Sequence, residues 1–331
     1  MSEPAADLHR ATPAVAPSGA PLGRVLEIVH DTRYTYAAPV SPAMHLAHLR
    51  PLADAEQALQ AYALRIDPPA DECTTEPDVF GNASCRFALV GAHRALRVTA
   101  TSRVALARRF ADLQPAAAPA WERLVERLCY VARAPFVPAV EFVQPSPYVP
   151  RLEALRRYAQ PSFPPGRAAA AAAIELMNRV YADFHYDGEA TDIDTPLAQV
   201  FAGRHGVCQD FAHVLAGALR MLGLPARYVS GYLLTQEEGS GAALVGADAS
   251  HAWVQVWVPG TPGVGADGWL DLDPTNDRVP GSGHVRVAVG RDFGDVTPLR
   301  GVIRGGGEHT LEVAVRTRQL GPAAAPGPGV A

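Results

Sequence analysis

The sequence predicts an α+β protein built in two parts, a small antiparallel β domain followed by a half in which helices come before strands. Two observations carry this. Between Arg24 and Leu106, short runs of strand-forming residues are separated by Pro, Asp and Gly-Asn breaks, the pattern of a small antiparallel sandwich. From residue 166 onward, helical patterns precede a set of alternating strands, an order that suits segregated helices and an antiparallel sheet better than a βαβ repeat.

Residues 1–23 are rich in Ala and Pro and lack the continuous apolar core of a signal peptide, so they read as a disordered leader. The β domain, 24–110, carries strand signals at 25–29, 32–36, 64–66, 85–90 and 95–104. A helical and Pro-rich bridge, 111–165, places Leu124, Leu128 and Val131 on one stripe and then accumulates prolines from Pro135 to Pro150. The third part, 166–320, opens with an Ala-rich helix that runs to about Phe184. A second helix follows Cys208, where Phe211, Val214, Leu215, Ala218, Leu219 and Leu222 recur at helical spacing until Gly223 and Pro225 stop it. Strand patterns then fall at 226–234, 251–258 and 268–273. The Gly/Pro/Ala-rich tail, 321–331, reads as disordered.

Composition narrows the function. A chain of 331 residues with 48% hydrophobic and 19% charged residues can bury a core without staples. The net charge of −5 and the absence of a clustered basic face argue against nucleic acid. No apolar run approaches the roughly 20 residues needed to span a bilayer, so no membrane association and a cytoplasmic location are expected. Four cysteines without CxxC spacing indicate neither a zinc ribbon nor a disulfide framework, and a reducing compartment fits. Cys73, Cys85 and Cys129 read as small buried hydrophobes. All 29 basic residues are arginine, so an enzyme that joined amines to acyl groups could not use lysines of its own.

Cys208 is different, because it lies where the glycine-containing loop ending at Gly206 becomes a helix. Free N–H groups and the positive end of the helix dipole there favour thiolate over thiol. A nucleophile also needs a base, and the base an orienting group. His251 starts an alternating strand, and Asp273 ends the next one just before Pro274-Thr275. If the two strands pair as antiparallel neighbours, His251 and Asp273 meet at one sheet edge. Alternation places Asp271 on the same face as Asp273, so periodicity does not separate the two carboxylates. For the oxyanion, the Cys208 backbone N–H is the first donor, while Gln209 and His205 are merely close in sequence.

Other clusters carry less. His205, Cys208 and His213 match no standard zinc spacing. The acidic stretch 187–194 lacks the ligand order of a calcium loop and reads as a solvated loop leading to the site. The glycines between Gly301 and Gly307 lack the Lys-Ser/Thr of a phosphate loop. No metal or cofactor is expected.

Four segments resemble the core of the transglutaminase-like superfamily: Gly206-Val-Cys-Gln-Asp-Phe-Ala-His213, Leu222-Gly-Leu-Pro-Ala-Arg-Tyr-Val-Ser-Gly-Tyr232, His251-Ala-Trp-Val254 and Gly268-Trp-Leu-Asp-Leu-Asp-Pro-Thr-Asn276. The likeness is greatest to a bacterial branch of cysteine proteases with an N-terminal β domain, whose motifs resemble residues 28–36, 78–82 and 290–298. The resemblance covers about 24–318, with Phe293 where Tyr is commoner. It implies a papain-like transglutaminase core, with a nucleophile helix against an antiparallel sheet. It also implies Cys208 as nucleophile, His251 as base and Asp273 as orienter, the Asp-Pro-Thr match selecting Asp273 over Asp271. The implied chemistry is acyl transfer through a thioester on a peptide or protein substrate, with hydrolysis favoured by the branch and transfer to an amine as the alternative. A noncatalytic module, recruiting a protein partner through the β domain, is a further reading that the intact Cys/His/Asp set disfavours. His30, Asp31, Tyr34, Asp78, Gly81 and Asn82 resemble family positions but read as turn and core residues.

Overall fold

The computed structural model describes residues 22–234, 245 and 250–320. The expected leader, apart from Leu22 and Gly23, and the expected disordered tail lie outside the described residues. Leu22 and Gly23 are already part of a strand.

That strand, β1 (Leu22–Ala47), organises the N-terminal layer. The layer also holds β2 (Gln57–Asp67), β3 (Glu72–Pro77), β4 (Ala83–Leu89) and β5 (His93–Ala107), in the antiparallel order β2-β5-β1-β4-β3. The sequence suggests two strands at 25–29 and 32–36, but β1 runs through both. Its ladder with β5 shifts register between Thr35 and Val40, so the irregularity that Pro39 requires is absorbed as a bulge and not as a turn.

Four short helices follow: α1 (Trp121–Glu126), α2 (Glu153–Ala159), α3 (Ala169–Asp183) and, after β6 (His185–Tyr186), α4 (Leu197–Gly203). Because α1 ends at Glu126, the expected stripe is incomplete: Leu124 is buried while Val131 is exposed. Next come β7 (His205–Gly206), α5 (Cys208–Met221) and three strands, β8 (Ala226–Leu233), β9 (His251–Trp257) and β10 (Trp269–Leu272). With β11 (His284–Gly290) they make an antiparallel sheet in the order β10-β9-β8-β11.

The core half is α+β, as the sequence predicts. Phe211, Val214, Leu215, Ala218 and Leu219 of α5 share one hydrophobic cluster with Val254 and Val256 of β9 and Leu270 and Leu272 of β10. The alanines of α3 join it, their small side chains allowing close helix approach. Gly217 is required by the same closeness, since a Cβ there would come within 2.8 Å of Leu155 on α2.

After α6 (Phe293–Val296), the chain returns to the first sheet. β12 (Leu299–Gly305) and β13 (His309–Leu320) both pair with β1. Residues 299–320, grouped by sequence with the catalytic core, therefore belong structurally to the N-terminal layer. The reason is topological: β1 is long enough to pair with β5 and β4 and still accept both C-terminal strands.

The two layers share a buried boundary. Leu26, Ile28, Leu59, Val104 and Leu106 of the first sheet cluster with Tyr232, Leu234, Val285 and Val287. Asn82, in the β3–β4 turn, exchanges two 2.8 Å hydrogen bonds with the Val289 backbone of β11. Asp78 caps that turn by accepting from the Phe80 and Asn82 N–H groups, which accounts for the 78–82 motif.

Several histidines are buried with lowered pKa values. Burial takes His30 and His45 to about 4 and His213 to about 3. The unfolded chain therefore takes up protons near pH 6.5 that the folded chain excludes. Their contribution to stability is fully present above 6.5 and is lost as pH falls toward the folded values. We expect the thermal midpoint to fall steadily between pH 6.5 and about 4 in a calorimetric series; a flat midpoint there would contradict the burial of these rings.

Candidate active site

The start of α5 is built by Thr191, Gly206, Val207 and Asp210 around Cys208. Val207 adopts an extended N-cap conformation, and its N–H donates to the Asp210 carboxylate at 2.8 Å. Thr191 donates to the same carboxylate oxygen at 2.7 Å. Gly206 has φ of +154°, and a Cβ there would fall 2.4 Å from that oxygen. Only glycine lets Asp210 fold back over the N-cap in this way. Burial raises the Asp210 pKa, opposed by its bonds to Thr191 and Val207.

Cys208 is the first residue of the helix and is half-buried. β6 and β7 pair in parallel just upstream and bring Tyr186 close. The Tyr186 and Tyr228 phenols are both raised in pKa, by burial first and by the nearby Cys208 sulfur second. The 187–194 loop reaches the helix start through Thr191 and through Ile193, whose carbonyl accepts from the Gln209 side chain at 3.2 Å. Gln209 is thus engaged away from the thiol.

His251 opens β9, and β9 pairs antiparallel with β10. Its Nε2 is 3.0 Å from Asp273 Oδ2, both side chains being fully buried. Its Nδ1 is buried with no complete hydrogen bond, and the Cys208 thiol is the neighbour that acts on it. Such contacts in a free enzyme are commonly long and tighten with substrate. Burial lowers the His251 pKa, but the charge and hydrogen bond of Asp273 outweigh it, Cys208 adds to them, and the net shift is well upward. For Asp273, burial raises the pKa, and His251 and His284 together override it to hold the group ionised.

Asp273 is saturated with donors. Oδ1 accepts from the Thr275 and Asn276 N–H groups at 3.0 and 3.2 Å. Oδ2 accepts from His251, from His284 Nε2 at 3.0 Å and from Asn276 Nδ2 at 2.9 Å. Asp271, which alternation alone leaves equivalent, has other partners: Arg109 Nη1 at 2.6 Å and Trp253 Nε1 at 3.1 Å. The two carboxylates share a face yet serve separate networks, one in a buried ion pair between layers and one behind the imidazole.

Sequence reading missed His284 and Asn276. His284 lies on β11, on the far side of β8 from β9, and reaches the site because Gly231 of β8 has no side chain. Gly231 is the register partner of His251, and a Cβ there would strike the Trp253 ring at 2.4 Å. Across this gap, the Trp253 and His284 rings meet edge to face at 5.3 Å. The alternation Val285, Val287, Val289 was a readable strand signal, but nothing local reveals which strand β11 joins. Replacing His284 by Ala removes one donor to a buried charge, and we expect roughly a tenfold slower alkylation of Cys208, read from iodoacetamide kinetics on the folded protein.

Among the described residues, His251, Asp273 and His284 bring three metal-capable atoms within 4.8 Å of one another. Each nitrogen sits at hydrogen-bonding distance from one oxygen that Asn276 also occupies, so the arrangement reads as a histidine–carboxylate network. His213 lies apart, its ring near Tyr148 and Tyr228 and its Nε2 accepting from Phe293 N–H at 3.2 Å. Asp292, in the 290–298 motif, caps α6 and also accepts from Tyr148 N–H. No helix among the described residues is long and apolar enough to cross a membrane.

Comparison with known proteins agrees with this architecture. A family model for a bacterial transglutaminase-like N-terminal region matches residues 26–105, and one for the transglutaminase-like superfamily core matches residues 156–274. A protein of Mycobacterium tuberculosis (strain H37Rv), designated uncharacterized, is 37% identical over 290 residues, covering 86% of this chain and 89% of the relative. A protein-glutamine gamma-glutamyltransferase of Pseudomonas aeruginosa is 32% identical over 132 residues, 40% of this chain and 19% of that one. The crystal structure of a candidate cysteine protease from Cytophaga hutchinsonii superimposes with a TM-score of 0.68 at 22% identity, covering 93% of this chain and 94% of that one. At that identity the likeness concerns the fold.

Proposed function

The chain belongs to the transglutaminase-like superfamily, and from that premise we propose that it is a cysteine-dependent acyl-transfer enzyme hydrolysing a peptide or isopeptide amide. The observation that carries this reading is the buried His251–Asp273 pair, whose free imidazole nitrogen is turned to a half-buried thiol at a helix start. Asp273 holds the Nε2–H and so leaves Nδ1 to take the Cys208 proton. The thiolate then attacks the amide carbonyl, with the Cys208 N–H at the head of α5 as a donor to the oxyanion. The imidazolium returns its proton to the departing amine, leaving a thioester. Water, deprotonated by His251, attacks the thioester, and the thiol is regenerated as the acid departs.

Transfer to an amine is the second reading, favoured by the likeness to the Pseudomonas glutamyltransferase. Both outcomes use the same thioester and differ in which nucleophile reaches it. The lysine-free sequence offers a built-in control, because any cross-linked lysine must come from an added protein. A peptide library incubated with the wild-type chain and with Cys208→Ala tests the proposal. Cysteine-dependent cleavage supports hydrolysis. Amine incorporation without cleavage would replace it with the transferase, and neither product from any peptide or protein substrate would overturn both.

A further inference from the structure

A second pair of thiols lies in the β3–β4 hairpin, remote in sequence from Cys208. Cys73 is on β3 and Cys85 on β4, one register step apart: Thr75 faces Cys85 and Cys73 faces Phe87. Residues two apart on a strand share a face, so both thiols point to the same side. There they meet the cluster containing Leu49, Leu89 and Leu96. The two sulfurs are 3.4 Å apart, and both cysteines are free. A disulfide needs about 2.05 Å between sulfurs and Cα atoms usually about 4.4–6.8 Å apart, whereas diagonal neighbours stand at about 7–8 Å, so closure requires the sulfurs to rotate together and β3 to move toward β4. β3 ends the path β2-β5-β1-β4-β3, so it is held by a ladder on one side only. Cys129, by contrast, is exposed and not a buried hydrophobe as its sequence suggests.

We propose that Cys73 and Cys85 are a redox modification site, closing to a reversible disulfide when the protein meets a disulfide oxidant such as oxidised glutathione. Cys73, the more exposed of the two, is the point of entry. Its thiolate attacks the oxidant, forming a mixed disulfide and releasing one small thiol. Cys85 then attacks the Cys73 sulfur and expels the second. Two protein thiols become one disulfide, and the oxidant is reduced to two thiols. Burial pushes the Cys85 thiol up to about 12, with the Thr75 hydrogen bond opposing and Cys73 adding to the rise, so the closing step accelerates with pH.

The consequence is mechanical. Residues 73–85 enclose the turn that Asp78 caps and that Asn82 clasps to β11. Phe80 of the same turn also packs near Phe142. Closing the base of this hairpin restricts the unfolded chain and holds the docking turn in register.

The test uses the full chain carrying Cys208→Ala, so that three of the four cysteines remain and the α5 thiol consumes no oxidant. After treatment with oxidised glutathione at about pH 8, where thiol–disulfide exchange is fast, the expected result is a peptide joining Cys73 to Cys85 with the loss of two hydrogens, any glutathione being confined to the exposed Cys129. The thiols of Cys73 and Cys85 are both lost with no glutathione on either, and the thermal midpoint rises on the order of 5 °C over the reduced protein. Adding Cys85→Ser leaves glutathione on Cys73 and removes the rise. Glutathione on Cys73 or Cys85 with no bond between the two, or a linkage of either to Cys129, would overturn the site. A Cys73–Cys85 linkage with an unchanged midpoint would overturn the stapling role.

Discussion

Replacing Asp273 by Ala is expected to slow alkylation of Cys208 and substrate turnover by on the order of a thousandfold, as the proposed mechanism requires of the group that orients the His251 imidazole. The carboxylate sets the direction of the His251 shift. Without it, burial dominates and favours the neutral ring, so the thiol loses the partner that stabilises its thiolate. The same change frees His284 and the Thr275 and Asn276 N–H groups, and some stability is lost as well. The rate is therefore measured on the folded fraction, with the alkylated peptide identified by mass. A rate within threefold of wild type would remove Asp273 from the orienting role.

Asp271→Ala has the opposite profile. It is expected to cost about 3–5 kcal/mol of stability, because it leaves the Arg109 guanidinium buried without its counter-charge. The Arg109 and Asp271 side chains are both fully buried at 2.6 Å, and Arg109 also donates to the carbonyls of Gly281 and His284. Arg286, which Asp54 and Glu56 bind from the first layer, stands 3.9 Å from the same carboxylate. The loss would appear as a lower denaturant midpoint, with the alkylation rate of the folded fraction within about tenfold of wild type. A midpoint change equivalent to less than about 1 kcal/mol would mean that the pair behaves as an exposed one. The two substitutions thus separate neighbouring aspartates that a strand pattern leaves equivalent.

Legibility in the sequence followed locality. α5 was readable because its apolar period and its stop at Gly223 lie within one segment. β9 and β10 were readable because their alternation is short-range and the connection between them brief. His251 meeting Asp273 then required a single assumption of pairing, which the ladder between those strands satisfies. β3, with its mostly exposed Glu72-Cys-Thr-Thr-Glu-Pro77 sequence, has no hydrophobic alternation to find. The return of β12 and β13 to β1 was hidden because those segments lie more than 250 residues from the start of their partner, and strand pairing over such distances leaves no local mark. The contact between His284 and Asp273 was hidden for the same reason. It depends on the order of four strands and on the missing side chain at Gly231, and only the assembled sheet displays both.

The pH dependence of Cys208 alkylation tests the central claim most directly, because it reads the thiol and imidazole together. Iodoacetamide should label Cys208 at about pH 6 much faster than an ordinary thiol, which is almost wholly protonated there. The upward shift of His251 keeps its imidazolium past its usual titration near 6.5, so the acceleration over an ordinary thiol should persist to well above neutral pH. His251→Ala should abolish the low-pH labelling. Labelling of the wild type at pH 6 no faster than that of a free thiol, with no change in His251→Ala, would contradict the assignment of Cys208 and His251 as a catalytic pair.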